Sequence, residues 1–190
     1  MFYLVTNPFC PYCYINDREL EKEFLELNDL DILLLPMNLE PDLNKFNLEL
    51  YHHYKISFEN ELLPYFKKQN YQAKYFRYEC VGSSKLVFLT YYFLREFSLG
   101  LKFYQEISRK FYETNFDYSD VANLLPIVTS YGISQKNYLD ALKDERFEKI
   151  YNENLEFVEK LNFEVVPSYY IDKTIYKDYQ KAFELLRLKV

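Results

Sequence analysis

Phe2-Tyr3-Leu4-Val5-Thr6 is a short apolar, β-prone run that stops at Asn7-Pro8, which predicts a buried strand. Pro11 then stands where a first helical residue needs no N–H group. Ile15, Leu20, Phe24, Leu25 and Leu27 recur at helical spacing among charged residues, so a helix is expected over about residues 11–28, ended by Asn28-Asp29. The continuous apolar run from Asp31 to Pro36 reads as a strand covered on both faces. The chain therefore opens as a βαβ unit.

Between about residues 40 and 160 the strand signal disappears. Helical patterns fall near 43–54, 57–69, 83–98, 101–113, 119–131, 136–143 and 144–161. Ser83, Ser119 and Ser134 are expected as N-caps, and Gly100 and Gly132 as terminators. β signals return in Val165-Val166-Pro167-Ser168-Tyr169-Tyr170-Ile171, a strand entered through a proline. A turn at Asp172-Lys173-Thr174, a short partner strand at Ile175-Tyr176 and an amphipathic helix from Tyr179 to Leu188 complete the pattern. The expected class is α/β: one sheet, built from residues 1–40 and 158–190, interrupted by an inserted all-helical subdomain over 41–157.

The 190 residues are 49% hydrophobic and 27% charged, enough to bury one substantial core. A net charge of −6 argues against non-specific nucleic-acid binding and against docking on anionic lipid. The longest apolar runs fall far short of the roughly 20 residues of a membrane span. The first residues carry neither a basic segment nor a small-residue cleavage site, so a cytoplasmic protein is expected. With 21 Tyr, 17 Phe and no Trp, rings must fill the core, and many phenol groups need polar partners.

Three cysteines, at 10, 13 and 80, do not make a disulfide framework in a reducing compartment, so the close pair calls for a chemical explanation. Cys10-Pro11-Tyr12-Cys13 straddles the start of the first helix after the first strand. Helical geometry brings both sulfurs to one side of the first turn, within disulfide reach. Cys10 falls at the N-cap, where unpaired N–H groups and the helix dipole favour a thiolate. Cys13 lies one turn in and is expected to stay a thiol until needed. Nucleophile and resolving cysteine are the roles this asymmetry predicts.

The Cys-x-x-Cys at a strand-to-helix turn, the late Val166-Pro167-Ser168 and the helical block between them resemble the thioredoxin superfamily, and within it the DsbA-like branch. The specific motifs cover residues 2–36 and 165–172 only. The resemblance implies a thiol–disulfide oxidoreductase, of dithiol–disulfide isomerase type, acting on protein or peptide thiols and disulfides. It implies no cofactor beyond the redox-active Cys10–Cys13 disulfide. It also implies that Pro167 follows a cis bond and packs on that disulfide, while the backbone of Val166 pairs with substrate. Pro11 and Tyr12 complete the implied substrate-binding set. Pro-Tyr is the dipeptide typical of glutaredoxins, which points to a potential near about −200 to −230 mV. The Gly-Gly-x-x-Asp pattern of glutathione recognition is missing, since Ser168-Tyr169-Tyr170-Ile171-Asp172 stands there. Asn7-Pro8-Phe9-Cys10-Pro11-x-Cys13 and the acidic composition also resemble DsbA-like proteins of low-GC Gram-positive bacteria. Some of those are adaptors that deliver the redox regulator Spx to the ClpXP protease, a role needing a docking surface and no working dithiol.

Other readings compete. Cys10 and Cys13 could form half of a zinc site completed by His52, His53 or Cys80, but no second closely spaced ligand pair follows, and adjacent histidines leave a helix in different directions. No metal is therefore expected. His52 and His53 are simplest as surface residues, and Cys80 as a packed thiol, with a redox-sensing thiol as the alternative. The Tyr12 phenol could flank a groove at the thiols or merely face solvent. A kappa-type glutathione transferase would carry Ser in place of Cys10. Three glycines leave no phosphate loop, and no G-x-S-x-G elbow is present.

Overall fold

The computed structural model describes residues 2–24, 32–37, 55–74 and 84–188. The chain runs β1 (Phe2–Thr6), α1 (Pro11–Glu23) and β2 (Ile32–Pro36), then a π-helical turn (Phe58–Leu62) continued by α2 (Leu63–Lys68). There follow α3 (Lys85–Arg95), α4 (Gly100–Thr114), α5 (Val121–Ser130), α6 (Gln135–Ala141) and α7 (Glu145–Lys160), and the chain closes with β3 (Ser168–Ile171), β4 (Thr174–Tyr176) and α8 (Tyr179–Arg187). The expected ends Asn28-Asp29, the helix near 43–54, Ser83, His52, His53 and Cys80 lie outside the described residues.

The four strands form one mixed sheet in the order β2-β1-β3-β4. β1 and β2 run parallel with Leu4 opposite Leu34, and β3 is antiparallel to β1 with Val5 opposite Ser168. β3 and β4 make a hairpin whose two turn residues, Asp172 and Lys173, both have positive φ, as a two-residue primed turn requires. Each face of the sheet is covered. Leu4 and Leu34 belong to the large aromatic core shared with the helices, whereas Val5 and Leu35 pack with Val158 and Phe163 on the other side.

The tyrosines find their partners mainly where the sheet and helices meet. β2 is an edge strand, and its backbone is satisfied by α3: Leu34 N–H donates to the Tyr91 hydroxyl at 2.9 Å, and the Tyr92 hydroxyl donates to Leu34 O at 3.3 Å. A buried edge would otherwise leave unpaired N–H and C=O groups. Tyr138 meets the Thr90 hydroxyl at 2.9 Å, and Tyr169 donates to Asn16 Oδ1 at 2.9 Å.

Two expected helix signals need correction. Gly100 begins α4 rather than ending α3, because a Cβ there would lie 2.9 Å from the Tyr91 carbonyl oxygen. The preceding helix is terminated by Ser98, at φ 59°, with Leu99 N–H reaching back to Leu94 O. Ser119 does not cap α5, since its hydroxyl donates to Asp117; Asp120 is the cap and accepts from Ala122 N–H. Ser134 caps α6, and Gly132 at φ 83° ends α5.

Candidate active site

The turn between β1 and α1 is held at three points. Asn7 folds back on the chain, its Oδ1 accepting from Phe9 N–H at 2.9 Å and its Nδ2 donating to Met37 O at 2.8 Å beyond β2. Cys10 N–H donates to Asn7 O at 3.1 Å, and the Tyr112 hydroxyl donates to Phe9 O at 2.5 Å. The result fixes Cys10 as the N-cap of α1, with Pro11 as its first residue.

Cys10 and Cys13 are both free thiols, 6% and 0% exposed. Their surroundings push them in opposite directions. The neighbouring Cys13 thiol holds the Cys10 thiol below its ordinary range, helped by the amides of Cys13 and Tyr12 and opposed by burial and by Asp17. Those two amides belong to the first turn, where no side chain caps them while Cys10 is a neutral thiol. Cys13 is driven well above the ordinary thiol range, first by burial and then by its neighbour Cys10; the Thr6 hydroxyl and the Asn7 amide oppose this.

The Val166–Pro167 bond is cis, and it opens β3 beside the thiols. Cys10 Sγ lies 3.6 Å from Val166 O, with the thiol as donor. Ser168 Oγ donates back to Val165 O at 2.7 Å and stiffens this corner. Next to it runs a groove of about 470 Å³, lined by Tyr12, Ile15, Leu62, Tyr65, Val166 and Pro167, with Glu61, Lys177, Val165 and Tyr179 completing its walls. Tyr12 is 53% exposed and Val165 44% exposed, so apolar surface is presented at this lip. The structure thus brings Cys10, Cys13, Tyr12, Val166 and Pro167 together, with Pro11 at the helix start between the cysteines. Tyr12 both faces solvent and lines the groove.

Behind the sulfurs lies a polar seam that periodicity did not reveal. Asn16 and Asp17, each 1% exposed, share the buried face of α1 with Cys13 and Leu20, and α4, which packs on α1, buries Gln105 and Ser108 as well. Burial pushes the Asp17 carboxyl up to about 7, against the pull of Ser108 and Arg18. Among the described residues neither carboxyl oxygen of Asp17 has a hydrogen-bond partner of good geometry, nor have Asn16 Nδ2 and Gln105 Nε2. The sequence signal was present as the i+3 and i+4 spacing from Cys13, but Asn and Asp read as solvent-facing. Among the described residues no cluster of three His, Cys, Asp or Glu side chains is placed to hold a metal ion.

Comparison with known proteins places the fold. The cytosolic disulfide reductase DsbM from Pseudomonas aeruginosa, in a structure with GSH, is 15% identical, covers 100% of this chain and 99% of its own, and superposes with a TM-score of 0.62. A probable DsbA oxidoreductase from Streptomyces coelicolor is 12% identical over 98% of this chain and 88% of its own, with a TM-score of 0.71. A 2-hydroxychromene-2-carboxylate isomerase reaches the same TM-score of 0.71 at 10% identity, over 99% and 93%. At these identities the likeness carries fold alone. No curated protein sequence matches the chain. The family model of the DSBA-like thioredoxin domain, however, matches residues 5–187, from the first strand to the last helix. The chain is therefore a member of the DSBA-like thioredoxin domain family.

Proposed function

We propose that this protein is a thiol–disulfide oxidoreductase that acts on protein or peptide disulfides, with Cys10 as nucleophile and Cys13 as resolving thiol. The observation that carries this reading is the unequal placing of the two cysteines, Cys10 at the start of α1 with its sulfur 3.6 Å from Val166 O before the cis proline, and Cys13 one turn in and fully buried, with the first thiol favoured as an anion and the second disfavoured. Its redox-active disulfide is the only cofactor it needs. Its working place is the cytosol, a reading supported by likeness to a protein described as a cytosolic disulfide reductase.

Substrate enters the groove as an extended segment, its backbone beside Val166 and Pro167 and its side chains against Tyr12 and Ile15. The Cys10 thiolate attacks one substrate sulfur; the substrate S–S bond breaks, and the departing sulfur leaves with the electron pair and is protonated. Cys13 then loses its proton and attacks Cys10 Sγ. The Cys10–Cys13 bond forms as the mixed disulfide breaks, and the second substrate sulfur leaves with its electrons. The substrate gains two electrons and two protons, which the dithiol has lost. Run in reverse, the same steps oxidise a substrate dithiol. Release of the mixed disulfide by another substrate thiol, before Cys13 acts, gives isomerisation. In a reducing compartment, reduction and isomerisation are the favoured directions.

The test is reduction of a peptide or insulin disulfide with dithiothreitol or glutathione as donor. Cys10→Ser should bring turnover down to buffer background, at least about a thousandfold by the behaviour of residues that act as one catalytic unit. Undiminished turnover would remove the dithiol from the mechanism. Degradation of a bound regulator stimulated equally by the Cys10→Ala/Cys13→Ala protein would mark the adaptor role, delivery of Spx to ClpXP, in its place.

A further inference from the structure

The groove beside the cis proline is lined by apolar and aromatic side chains except for two ionic ones, Glu61 and Lys177. Lys177 is already engaged, its Nζ 2.6 Å from Glu164 Oε2. Glu61 is exposed, accepts from Ser57 Oγ at 3.2 Å, and forms no ion pair among the described residues. Lys55, earlier in the same helical run, is paired with Glu59 at 4.0 Å. Leu62, the residue after Glu61, is buried and lines the same groove. Both belong to the π-helical turn Phe58–Leu62, an uncommon helical form met mostly as single turns at functional sites. The turn thus sets one unneutralised acid beside apolar residues on the wall that faces a substrate.

We infer that Glu61 is a specificity-determining residue, which turns the groove toward protein segments whose cysteine is flanked by large apolar side chains and by Lys or Arg, and away from acidic thiols such as glutathione. The inference rests on the dithiol reading above and adds to it the class of substrate. Side chains of an extended segment alternate between its two faces. Those two positions from the substrate cysteine share its face and reach the apolar floor at Ile15 and Leu62, while those next to it reach the rim, where the Glu61 carboxylate is exposed. A cation there completes the pairing that Lys177, held by Glu164, does not supply.

Selection needs only a few-fold difference, which is the scale of one exposed ion pair and of its like-charge counterpart. Glutathione carries more carboxylates than ammonium groups, so the charge that attracts a basic segment repels it. The net charge of −6 acts in the same direction, but from the whole surface and through screening solvent, so removing an acid elsewhere separates the two contributions. Glu153 serves for that purpose: it is exposed on α7 and lies outside the groove walls.

The experiment uses the reduced full-length protein and peptides of the form acetyl-Leu-X-Cys-X-Leu-amide, with X as Lys, Gln or Glu, each joined by a disulfide to 2-thiopyridine. The Cys10 thiolate attacks the peptide sulfur, the S–S bond breaks, and pyridine-2-thione leaves with the electron pair and takes up a proton. Stopped-flow absorbance gives the second-order rate constant, divided by that of mercaptoethanol with the same peptide to remove intrinsic reactivity. Wild type should favour the Lys over the Glu peptide about tenfold at low salt, and the ratio should shrink in about 0.5 M salt. Glu61→Gln should lower the ratio about threefold and Glu61→Lys about tenfold, the latter also speeding glutathione disulfide about threefold. Glu153→Gln should leave the ratio as in wild type. A ratio unchanged in Glu61→Gln, lowered equally in Glu153→Gln, or indifferent to salt overturns the inference. Thione release that is absent from wild type with all three peptides, or that persists in Cys10→Ser, instead overturns the dithiol reading beneath it.

Discussion

The outer lip and the inner face of α1 differ more than their separation of one turn suggests. At the lip, Cys10 has the first-turn amides, a neighbouring thiol and a carbonyl at 3.6 Å, beside a groove where Tyr12 is 53% exposed. On the inner face, Cys13, Asn16 and Asp17 are buried where α1 packs on α4, and among the described residues Asn16 Nδ2 and both Asp17 carboxyl oxygens lack hydrogen-bond partners. Two chemically identical sulfurs are therefore biased in opposite directions, Cys10 toward the anion and Cys13 toward the thiol, because of where the helix begins and what it packs on. A Cys-x-x-Cys spacing permits a disulfide; the helix start and the seam behind it decide which sulfur attacks.

Removing the charge of the inner face is expected to give the largest change. A carboxyl raised from its ordinary value to about 7 binds a proton more tightly in the folded state than in the unfolded one. Its burial therefore costs nothing below about pH 4, where both states are protonated; the cost grows as pH rises and is complete above the folded value near 7. Asp17→Asn should stabilise the protein by up to about 4 kcal/mol at pH 8, with the gain fading toward pH 4, in urea unfolding curves. A gain that is the same at both pH values would mean that Asp17 is solvated and the seam is wet.

The turn that separates lip from inner face comes next. Asn7→Ala removes the acceptor for Phe9 N–H and the donor to Met37 O, leaving buried backbone groups unpaired. A loss of about 2 kcal/mol is expected on that account. Cys10 alkylation should also slow at neutral pH as the helix start loosens. Unchanged stability would show that the turn is held without its side chain.

The smallest effect belongs to the lip. Tyr12→Ala should raise KM for a peptide disulfide about fivefold, from loss of ring burial alone, and leave kcat and the reaction with glutathione disulfide nearly unchanged. An equal effect on both substrates would place Tyr12 in the chemistry rather than in the groove.

Much of this architecture was legible because it follows from short-range signals. Phe2–Thr6, Pro11 and Ile32–Pro36 mark the βαβ opening, and Asp172-Lys173 forms the turn expected there. Cys10 takes the N-cap position that its spacing before Pro11 predicted. Gly100 misled because a glycine needed for close approach to Tyr91 looks the same in sequence as one that ends a helix. Ser119 misled because Asp120, one residue on, is an equally good cap. The seam was invisible for a deeper reason: hydrophobic periodicity assigns Asn16 and Asp17 to solvent, and only the packing of α4 on α1 buries them. The buried hydroxyls of Thr6 and Tyr104 meet across 98 residues, a pairing that no local pattern encodes.

The most direct test of the central claim is the pH dependence of alkylation at each cysteine of the reduced protein, read by mass spectrometry after brief iodoacetamide pulses. Cys10 should be labelled first, with a midpoint below that of an ordinary thiol, while Cys13 stays unlabelled until well above it. Labelling of Cys13 first, or of both with one ordinary midpoint, would contradict the assignment of nucleophile and resolving thiol.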